Sequence, residues 1–126
     1  MVIKSRATKD VGDAAETRAL EHLIGQGLRL IQRNYRVAAG PRSRGGEIDL
    51  ILRARDGTLV FVEVRSRASD SHGSAAASVG AMKRRRIVFA AQQYLRSMPT
   101  APPCRFDVVA IDGDHLEWLS AAFEAS

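Results

Sequence analysis

Two apolar runs decide the fold of this chain: residues 45–52 (GGEIDLIL) and residues 59–65 (LVFVEVR). Both runs are rich in residues that favour strands, and the Asp56-Gly57 dipeptide between them is typical of a tight turn. They therefore predict a β-hairpin. Three acidic side chains interrupt the runs: Glu47, Asp49 and Glu63. Because an ionised carboxylate loses its hydration inside a sheet, it needs a partner cation or a metal there.

The apolar alternation in the two runs predicts how the strands pair. Ile48, Leu50 and Leu52 share one face of the first strand, and alternate valines share one face of the second. These faces coincide only if the numbers of paired residues add up to an even value, which requires a loop of odd length. We expect residues 55–57 (RDG) to form this loop, with Gly57 in a left-handed bulge. The predicted cross-strand pairs are Ile48 with Val64, Leu50 with Val62, Leu52 with Val60, Asp49 with Glu63, Ile51 with Phe61, and Glu47 with Arg65.

This register places the carboxylates of Asp49 and Glu63 side by side. Directly opposed side chains have Cβ atoms about 4.5–5.5 Å apart. The two negative charges repel at that distance, and the pKa of one group rises unless a cation lies between them. A divalent cation such as Mg²⁺, which takes oxygen ligands from one or two carboxylates, fits this arrangement. A salt bridge from Arg65 explains the cluster equally well, and the pattern leaves both interpretations open.

Glu16 is a third candidate for the same cluster. It lies four residues before Leu20 and seven before Leu23, on the stripe of the first predicted helix that faces the sheet. A carboxylate at this position is expected to point towards the acids of the hairpin. The alternative is an N-terminal capping pair with Asp13, which applies if the helix begins at Asp13 rather than nearer Asp10.

The remainder of the chain predicts a scaffold around the hairpin, from helical or alternating apolar patterns and Gly or Pro stop signals. The segments, in chain order, are a flexible basic leader (1–9), a helix (from Asp10 or Asp13 to Gln26), a strand (28–36), a loop (37–46), the hairpin, a flexible connection (66–80), a helix (78–97), two strands (106–111 and 115–119) and a short tail (120–126). The prediction is one α/β domain over residues 10–119. Its mixed central β-sheet is flanked by helices, in the order α-β-β-β-α-β-β.

Composition and charge limit the class of protein. The chain has 126 residues, 45% hydrophobic and 26% charged, which is typical of a globular domain. No apolar run approaches the roughly 20 residues that a membrane span needs, and no secretory signal is visible, so no membrane partner is expected. The single cysteine, Cys104, cannot form an internal disulfide, which favours a cytoplasmic location. The net charge of +5 permits a polyanionic partner such as DNA but does not require one.

Four consecutive cations, residues 83–86 (KRRR), lie near the start of the second predicted helix. Cations at a helix N-terminus oppose the helix dipole, so an adjacent anion is favourable there. A DNA phosphate is one such anion, and a solvated polar face is the plainer alternative. With no base-reading motif, contacts to the DNA backbone are expected. The candidate nucleic-acid contacts are Lys83, Arg84, Arg85 and Arg86, joined by Arg42, Arg44 and Arg67 if their loops fold towards the helix.

The order of these motifs resembles a known superfamily. A helix glutamate, a strand aspartate and a Glu-x-Lys-like triplet on the next strand resemble the PD-(D/E)xK nucleases. The closer match is the YraN family of uncharacterised bacterial proteins, which is similar to archaeal Holliday-junction resolvases. The resemblance implies a restriction-endonuclease-like core. It is carried by Gly12-x-x-x-Glu16, by residues 33–36 (RNYR), 46–51 (GEIDLI), 56–57 (DG) and 60–67 (VFVEVRSR), and by Lys83 with the helix up to Tyr94-Leu95.

The resemblance also implies a metal site. Asp49 and Glu63 would ligate Mg²⁺ or Mn²⁺, as one or two divalent ions, and the Val64 backbone carbonyl would be a third ligand. Glu16 would be an accessory ligand, direct or through water. In such nucleases the metal activates water and stabilises charge on the phosphodiester. The lysine of the motif is replaced here by Arg65, which stays charged and cannot act as a base but can hold a phosphate.

Two functions stay open at this point. One is a Mg²⁺-dependent endonuclease acting on branched or damaged DNA, with Arg65 among its catalytic residues or with Lys83 recruited in its place. The other is a non-catalytic nucleic-acid-binding or interaction protein that keeps the nuclease fold, because Arg65 replaces the lysine. Resolvase-like relatives work as symmetric dimers, so the resemblance also implies a homodimer.

Overall fold

The helices and strands follow each other in the predicted order, α-β-β-β-α-β-β. A computed structural model describes residues 2–66 and 79–125, with side chains from residue 13 onward. Most of the predicted connection over residues 66–80, including Arg67, lies outside the described residues. The elements are α1 (Val2–Gly25), β1 (Arg29–Val37), β2 (Gly46–Arg53), β3 (Leu59–Ser66), α2 (Ala81–Leu95), β4 (Cys104–Asp112) and β5 (His115–Phe123).

The five strands form one mixed sheet in the order β1-β2-β3-β4-β5. β3 and β4 run parallel, with α2 in the connection between them, and every other pair of neighbours is antiparallel. α1 packs on one face of the sheet and α2 on the other. The predicted α/β class, a mixed sheet flanked by helices, is therefore confirmed.

Two hydrophobic clusters, one on each face, hold the helices against the sheet. On one face Ile87 and Ala90 of α2 pack against Phe61 of β3. On the other face Leu23 of α1 packs against Val60, also in β3. Residues that follow each other in β3 thus belong to different clusters, because neighbouring side chains on a strand point to opposite faces. Burial of each large apolar side chain contributes about 1.5–3 kcal/mol.

The β2–β3 hairpin has the predicted loop and register. Ala54 N donates to Thr58 O and Gly57 N donates to Ala54 O, both at 2.9 Å, which leaves residues 55–57 as the loop. Gly57 has a φ of 94°, the left-handed conformation that the odd-length loop requires. The pairs Leu50–Val62, Ile51–Phe61 and Leu52–Val60 are those predicted from the alternation.

The predicted register is wrong beyond Leu50. Within residues 46–66, the β2–β3 ladder ends at Leu50–Val62, so the predicted pairs Ile48–Val64, Asp49–Glu63 and Glu47–Arg65 are not part of it. Ile48 also belongs to the cluster on the α2 face, whereas Leu50 packs on the α1 face. The physical reason lies at Asp49, whose carboxylate bonds to the backbone of β3 and interrupts the alternation.

Two predicted boundaries also differ from the structure. α1 begins at Val2, so residues 2–9 are helical rather than a separate leader. This stretch lacks an apolar stripe, but its Lys, Arg and Ala residues have high helix propensity. β5 continues to Phe123, four residues beyond the predicted end at Leu119. The Phe123 ring stacks on Phe106 with centroids 5.1 Å apart, and this packing extends the strand.

A buried acid fixes the last two strands. Asp107 of β4 is fully buried and accepts hydrogen bonds from Trp118 Nε1 at 2.9 Å and Ala121 N at 2.8 Å. Its carboxylate also pairs with Arg105 at 3.0 Å. The Ala121 contact spans the register shift between Phe106 and Val108. Because these donors use both oxygens, Asp107 has a structural role in the β4–β5 pair.

Candidate functional site

The candidate site lies where β2 and β3 stop pairing. Asp49 Oδ2 accepts a hydrogen bond from Val64 N at 2.8 Å, in place of a backbone acceptor on β2. Across β1, Asn34 has a φ of 53° and lies between the pairs Arg33–Leu50 and Tyr35–Ile48. Both strands therefore change faces at the same level of the sheet. This irregularity directs the Asp49 carboxylate along the sheet, towards β3.

Glu63 occupies the α2 side of this break. It lies two residues after Phe61, on the same face of β3, and is only 4% exposed. Lys83 Nζ of α2 is 3.3 Å from Glu63 Oε2, whereas Arg65 Nη1 is 3.9 Å from the same oxygen. The closer counter-ion of Glu63 is thus a lysine from the helix, not the arginine two residues along the strand.

Gly46 brings α2 close enough for this contact. A Cβ built at Gly46 would lie 2.2 Å from the carbonyl oxygen of Arg86 and 3.1 Å from Ala90 Cβ. Any side chain at this position would push the helix away from β2. This close approach places the start of α2, which carries Lys83, beside the first half of β2, which contains Asp49.

Burial and mutual repulsion disfavour the fully ionised form of the two carboxyl groups. Burial, and next the negative charge of Asp49, raise the pKa of Glu63 to about 8, against the opposing effect of Lys83. Burial also raises the pKa of Asp49, although hydrogen bonds from Val64 N–H and with Glu63 lower it. The pair therefore carries less than its full negative charge until a cation joins it.

Glu16 lies on the opposite face from Glu63. Its Oε1 is 3.5 Å from Arg33 Nη2, in an ion pair between α1 and β1. Burial and then the charge of Asp49 raise the pKa of Glu16, against the opposing effect of Arg33. Its predicted alternative role, in a capping pair with Asp13, is wrong because α1 begins eleven residues before Asp13. Glu16 Oε1 is buried and has no hydrogen-bond partner among the described residues.

The donor set fits a hydrated divalent cation. Among residues 2–66 and 79–125, no three His, Cys, Asp or Glu side chains converge as a ready metal site. Asp49 and Glu63 nevertheless offer two carboxylates at one break in the sheet, and Mg²⁺ is commonly bound by one or two carboxylates together with water. Lys83 lies 3.3 Å from Glu63 Oε2, and its positive charge would repel an ion bound at the same carboxylate, which favours withdrawal of the lysine when the ion enters.

The four cations of the predicted basic patch, residues 83–86, have different surroundings in the structure. Lys83 faces the acid pair, and Arg84 lies over the Phe123 ring at 5.3 Å and donates to the Val79 carbonyl. Arg85 and Arg86 are exposed. The loop before β2 does fold towards α2, because Arg44 Nη1 is 3.5 Å from Met82 Sδ. Arg42 is exposed in the same loop, and Arg67 lies outside the described residues.

The sequence analysis did not predict the closest ion-pair partners of two acidic side chains of the site. Arg33 is the ion-pair partner of Glu16, and Lys83 is an ion-pair partner of Glu63. The only signal for either was that each buried acid needs a cation. Lys83 lies twenty residues after Glu63, so no local pattern could show that the two meet.

The fold and this site define an α/β protein with a buried acid pair at a break in a mixed sheet. The family model described as "Uncharacterised protein family UPF0102" matches residues 15–111. A UPF0102 protein of Methylibium petroleiphilum is 66% identical over 119 residues, which cover 94% of this chain and 98% of the relative. A UPF0102 protein of Paracidovorax citrulli is 63% identical over 122 residues, which cover 97% and 88%. The chain belongs to the UPF0102 family, which confirms the YraN-like assignment.

The relatives are named only by their family, so they carry no activity over to this chain. In the part of the chain that the structure describes, no helix is both long enough and apolar enough to cross a bilayer.

Proposed function

We propose that this protein hydrolyses phosphodiester bonds in DNA with the help of a divalent metal ion. The observation that carries the proposal is the Asp49–Glu63 pair. It is held at a break in the sheet, it contains a Glu63 whose pKa is raised by burial and by the charge of Asp49, and it lies beside the basic start of α2. Ionisation of both carboxyl groups opposes folding, because Glu63 is buried and the two negative charges repel. A divalent cation bound between the two carboxylates would offset their repulsion.

Asp49, Glu63 and the Val64 carbonyl would hold Mg²⁺ or Mn²⁺. When bound, the ion would supply an activated water and would stabilise negative charge on the phosphodiester. Glu16 adds a third carboxylate near Asp49, on the α1 face of the sheet. Its Oε1 pairs with Arg33 at 3.5 Å without a hydrogen bond, so it could bond a water of the ion or take part in binding a second ion. The role of Arg33 would be to keep Glu16 in place.

Lys83 would take over the place of the missing motif lysine. The ion would displace it from Glu63, but its helix would keep the ammonium group near the acids. It would then offer a positive charge to the scissile phosphate, with Arg65 as a second cation on the strand. The exposed arginines Arg42, Arg44, Arg85 and Arg86 would hold the DNA backbone outside the site. The protein would act in the cytoplasm. A homodimer would present one such site to each strand of branched or damaged DNA.

A cleavage assay tests this proposal. Linear, flapped and four-way DNA are incubated with the protein and Mg²⁺ or Mn²⁺, using the wild type, Asp49→Asn and Glu63→Gln. We expect metal-dependent cleavage that either substitution lowers by at least about 100-fold, since each removes a ligand of the ion. Glu117→Gln, an exposed acid on β5, is the matched control and should keep full activity. Equal cleavage by all four proteins, or none by the wild type, would contradict the proposal.

A second function is a non-catalytic nucleic-acid-binding protein. The observation that favours it is that Lys83 and Arg65 lie 3.3 Å and 3.9 Å from Glu63 Oε2, so that these two cations could balance its charge in place of a metal. Titration with Mn²⁺ separates the two functions. Binding that Asp49→Asn abolishes supports the nuclease, whereas no binding, together with DNA affinity that survives in EDTA, supports the alternative.

A further inference from the structure

A second basic region lies at the C-terminal end of β2, beyond the acid pair. A surface cavity of about 270 Å³ is lined by Arg29, Arg53 and Arg55, together with Ala54 and two glycines. Among the described side chains, no carboxylate lines this cavity. Four residue steps along β2 separate Asp49 from Arg53, which corresponds to about 13 Å. This cavity is therefore separate from the site at the start of α2.

The three arginines have little to bind within the protein. In the described part of the chain, Arg29 and Arg55 make no hydrogen bond or ion pair, and Arg53 donates only to the Gly57 carbonyl, at 3.1 Å. The nearest acid in sequence, Asp56, is engaged in its own turn, where it accepts a hydrogen bond from Thr58 N at 3.0 Å. Three guanidinium groups without a carboxylate partner among the described residues repel one another, and an anion between them would relieve that repulsion.

The C-terminus of α1, which carries partial negative charge, is the structural alternative to an anion. Two carbonyls of the last turn are, however, already satisfied by the backbone. Leu28 N donates to Leu23 O at 3.1 Å and Gly27 N donates to Ile24 O at 3.0 Å, which is a Schellman cap with Gly27 at φ 99°. These two carbonyls thus need no arginine as a hydrogen-bond donor.

Gly27 also lets Arg55 close over the cavity. A Cβ built at Gly27 would lie 2.6 Å from Arg55 Nε, so the guanidinium group rests directly on the glycine backbone. Gly57 is the other glycine of the lining. Planar guanidinium groups on a floor of small residues are suited to the oxygens of a phosphate group, which they can bind in a bidentate manner.

We propose that Arg29, Arg53 and Arg55 form an anion site that binds a phosphate group. The site needs no metal and does not depend on the acid pair, so it goes beyond the proposed nuclease function. The phosphate could belong to a nucleic-acid backbone or to a free phosphate, and the two sources differ in how binding responds to salt and to competing phosphate.

The test compares the wild type with Arg29→Gln/Arg55→Gln, in EDTA so that no metal-dependent activity contributes. Binding of a short DNA duplex is measured by fluorescence anisotropy between about 50 and 200 mM salt. If the site holds a DNA phosphate, the slope of log K against log salt falls by about 1 to 2 in the double variant, with roughly tenfold weaker binding. Arg55→Lys in the otherwise native chain should keep most of the slope. Arg96→Gln, an exposed arginine at the end of α2, is the matched control and should behave as the wild type.

A second arm uses inorganic phosphate as the probe, against chloride at equal ionic strength. If free phosphate is the ligand, it raises the melting temperature of the wild type and of Arg96→Gln but not of the double variant, while the DNA slope stays the same. The proposal is overturned if the double variant matches the wild type in both arms. It is also overturned if the double variant only melts earlier, because the arginines then serve the helix dipole alone.

Discussion

The charge state of Glu63 makes a quantitative prediction about stability. A folded-state pKa of about 8, against the ordinary glutamate value of 4.5, means that the folded protein binds more protons than the unfolded chain between these two pH values. The free energy of unfolding therefore falls as the pH rises through this window. Glu63→Gln keeps the shape and the hydrogen-bonding capacity of the protonated acid but cannot ionise. The variant should lose this part of the pH dependence.

The magnitude follows from the linkage relation. Each pH unit over which one extra proton is bound corresponds to about 1.36 kcal/mol. Glu63 is 4% exposed, so solvent does little to screen its charge. Between pH 5.5 and pH 8 the wild type should lose on the order of 3 kcal/mol relative to Glu63→Gln. The attraction between Lys83 and ionised Glu63 is already contained in the pKa of about 8, so it adds no separate effect to this difference.

Urea unfolding at several pH values in EDTA measures this difference. As the pH rises from 5.5 to 8, the free energy of unfolding of the wild type should fall by about 3 kcal/mol relative to that of Glu63→Gln, so that the two curves separate. Glu117→Gln, which removes an exposed acid, should give a curve parallel to that of the wild type. Parallel curves for Glu63→Gln as well would refute the reasoning, since they would mean that Glu63 is ionised in the folded protein across the whole range.

Three further predictions concern the metal and the framework. Mn²⁺ affinity, measured by calorimetry, should rise by about tenfold per pH unit below pH 8, because the ion displaces a proton from Glu63. An affinity that does not change with pH would contradict the raised pKa of Glu63. Gly46→Ala should lower the free energy of unfolding by about 2–4 kcal/mol, because its Cβ would clash with the Arg86 carbonyl. Gly25→Ala, with open space around the new Cβ, should change it little in the same urea titration. Asp107→Ala should cost about 3 kcal/mol by leaving Arg105 without its buried partner, and a loss below about 1 kcal/mol would contradict the structural role of Asp107.

The hairpin shows how far the sequence alone could lead. Alternation predicted the pairs around Ile51 and Phe61 and the left-handed Gly57, because a slip of one residue would have turned every apolar side chain to the wrong face. The same argument failed at Ile48. It assumed a regular pleat, whereas the Asp49 side chain replaces a backbone acceptor and shifts Ile48 to the other face.

The helices show why the rest of the site could not be predicted. Residue types and order pointed to Glu16 and Glu63, but the partner of each acid comes from an element that is distant in sequence. Lys83 reaches Glu63 only because Gly46 lets α2 approach β2, a contact that depends on tertiary packing. The basic run of α2 could be seen in the sequence, but the division of its side chains between the acid pair, Phe123 and solvent could not.

The most direct test of the central claim is a crystal structure of the wild-type protein soaked with Mn²⁺. Our account predicts an anomalous difference peak about 2.1 Å from carboxylate oxygens of Asp49 and Glu63, with Lys83 withdrawn from its 3.3 Å contact with Glu63. If Lys83 remains on Glu63 at saturating Mn²⁺ and no peak is present between the two acids, the acid pair is not a metal site.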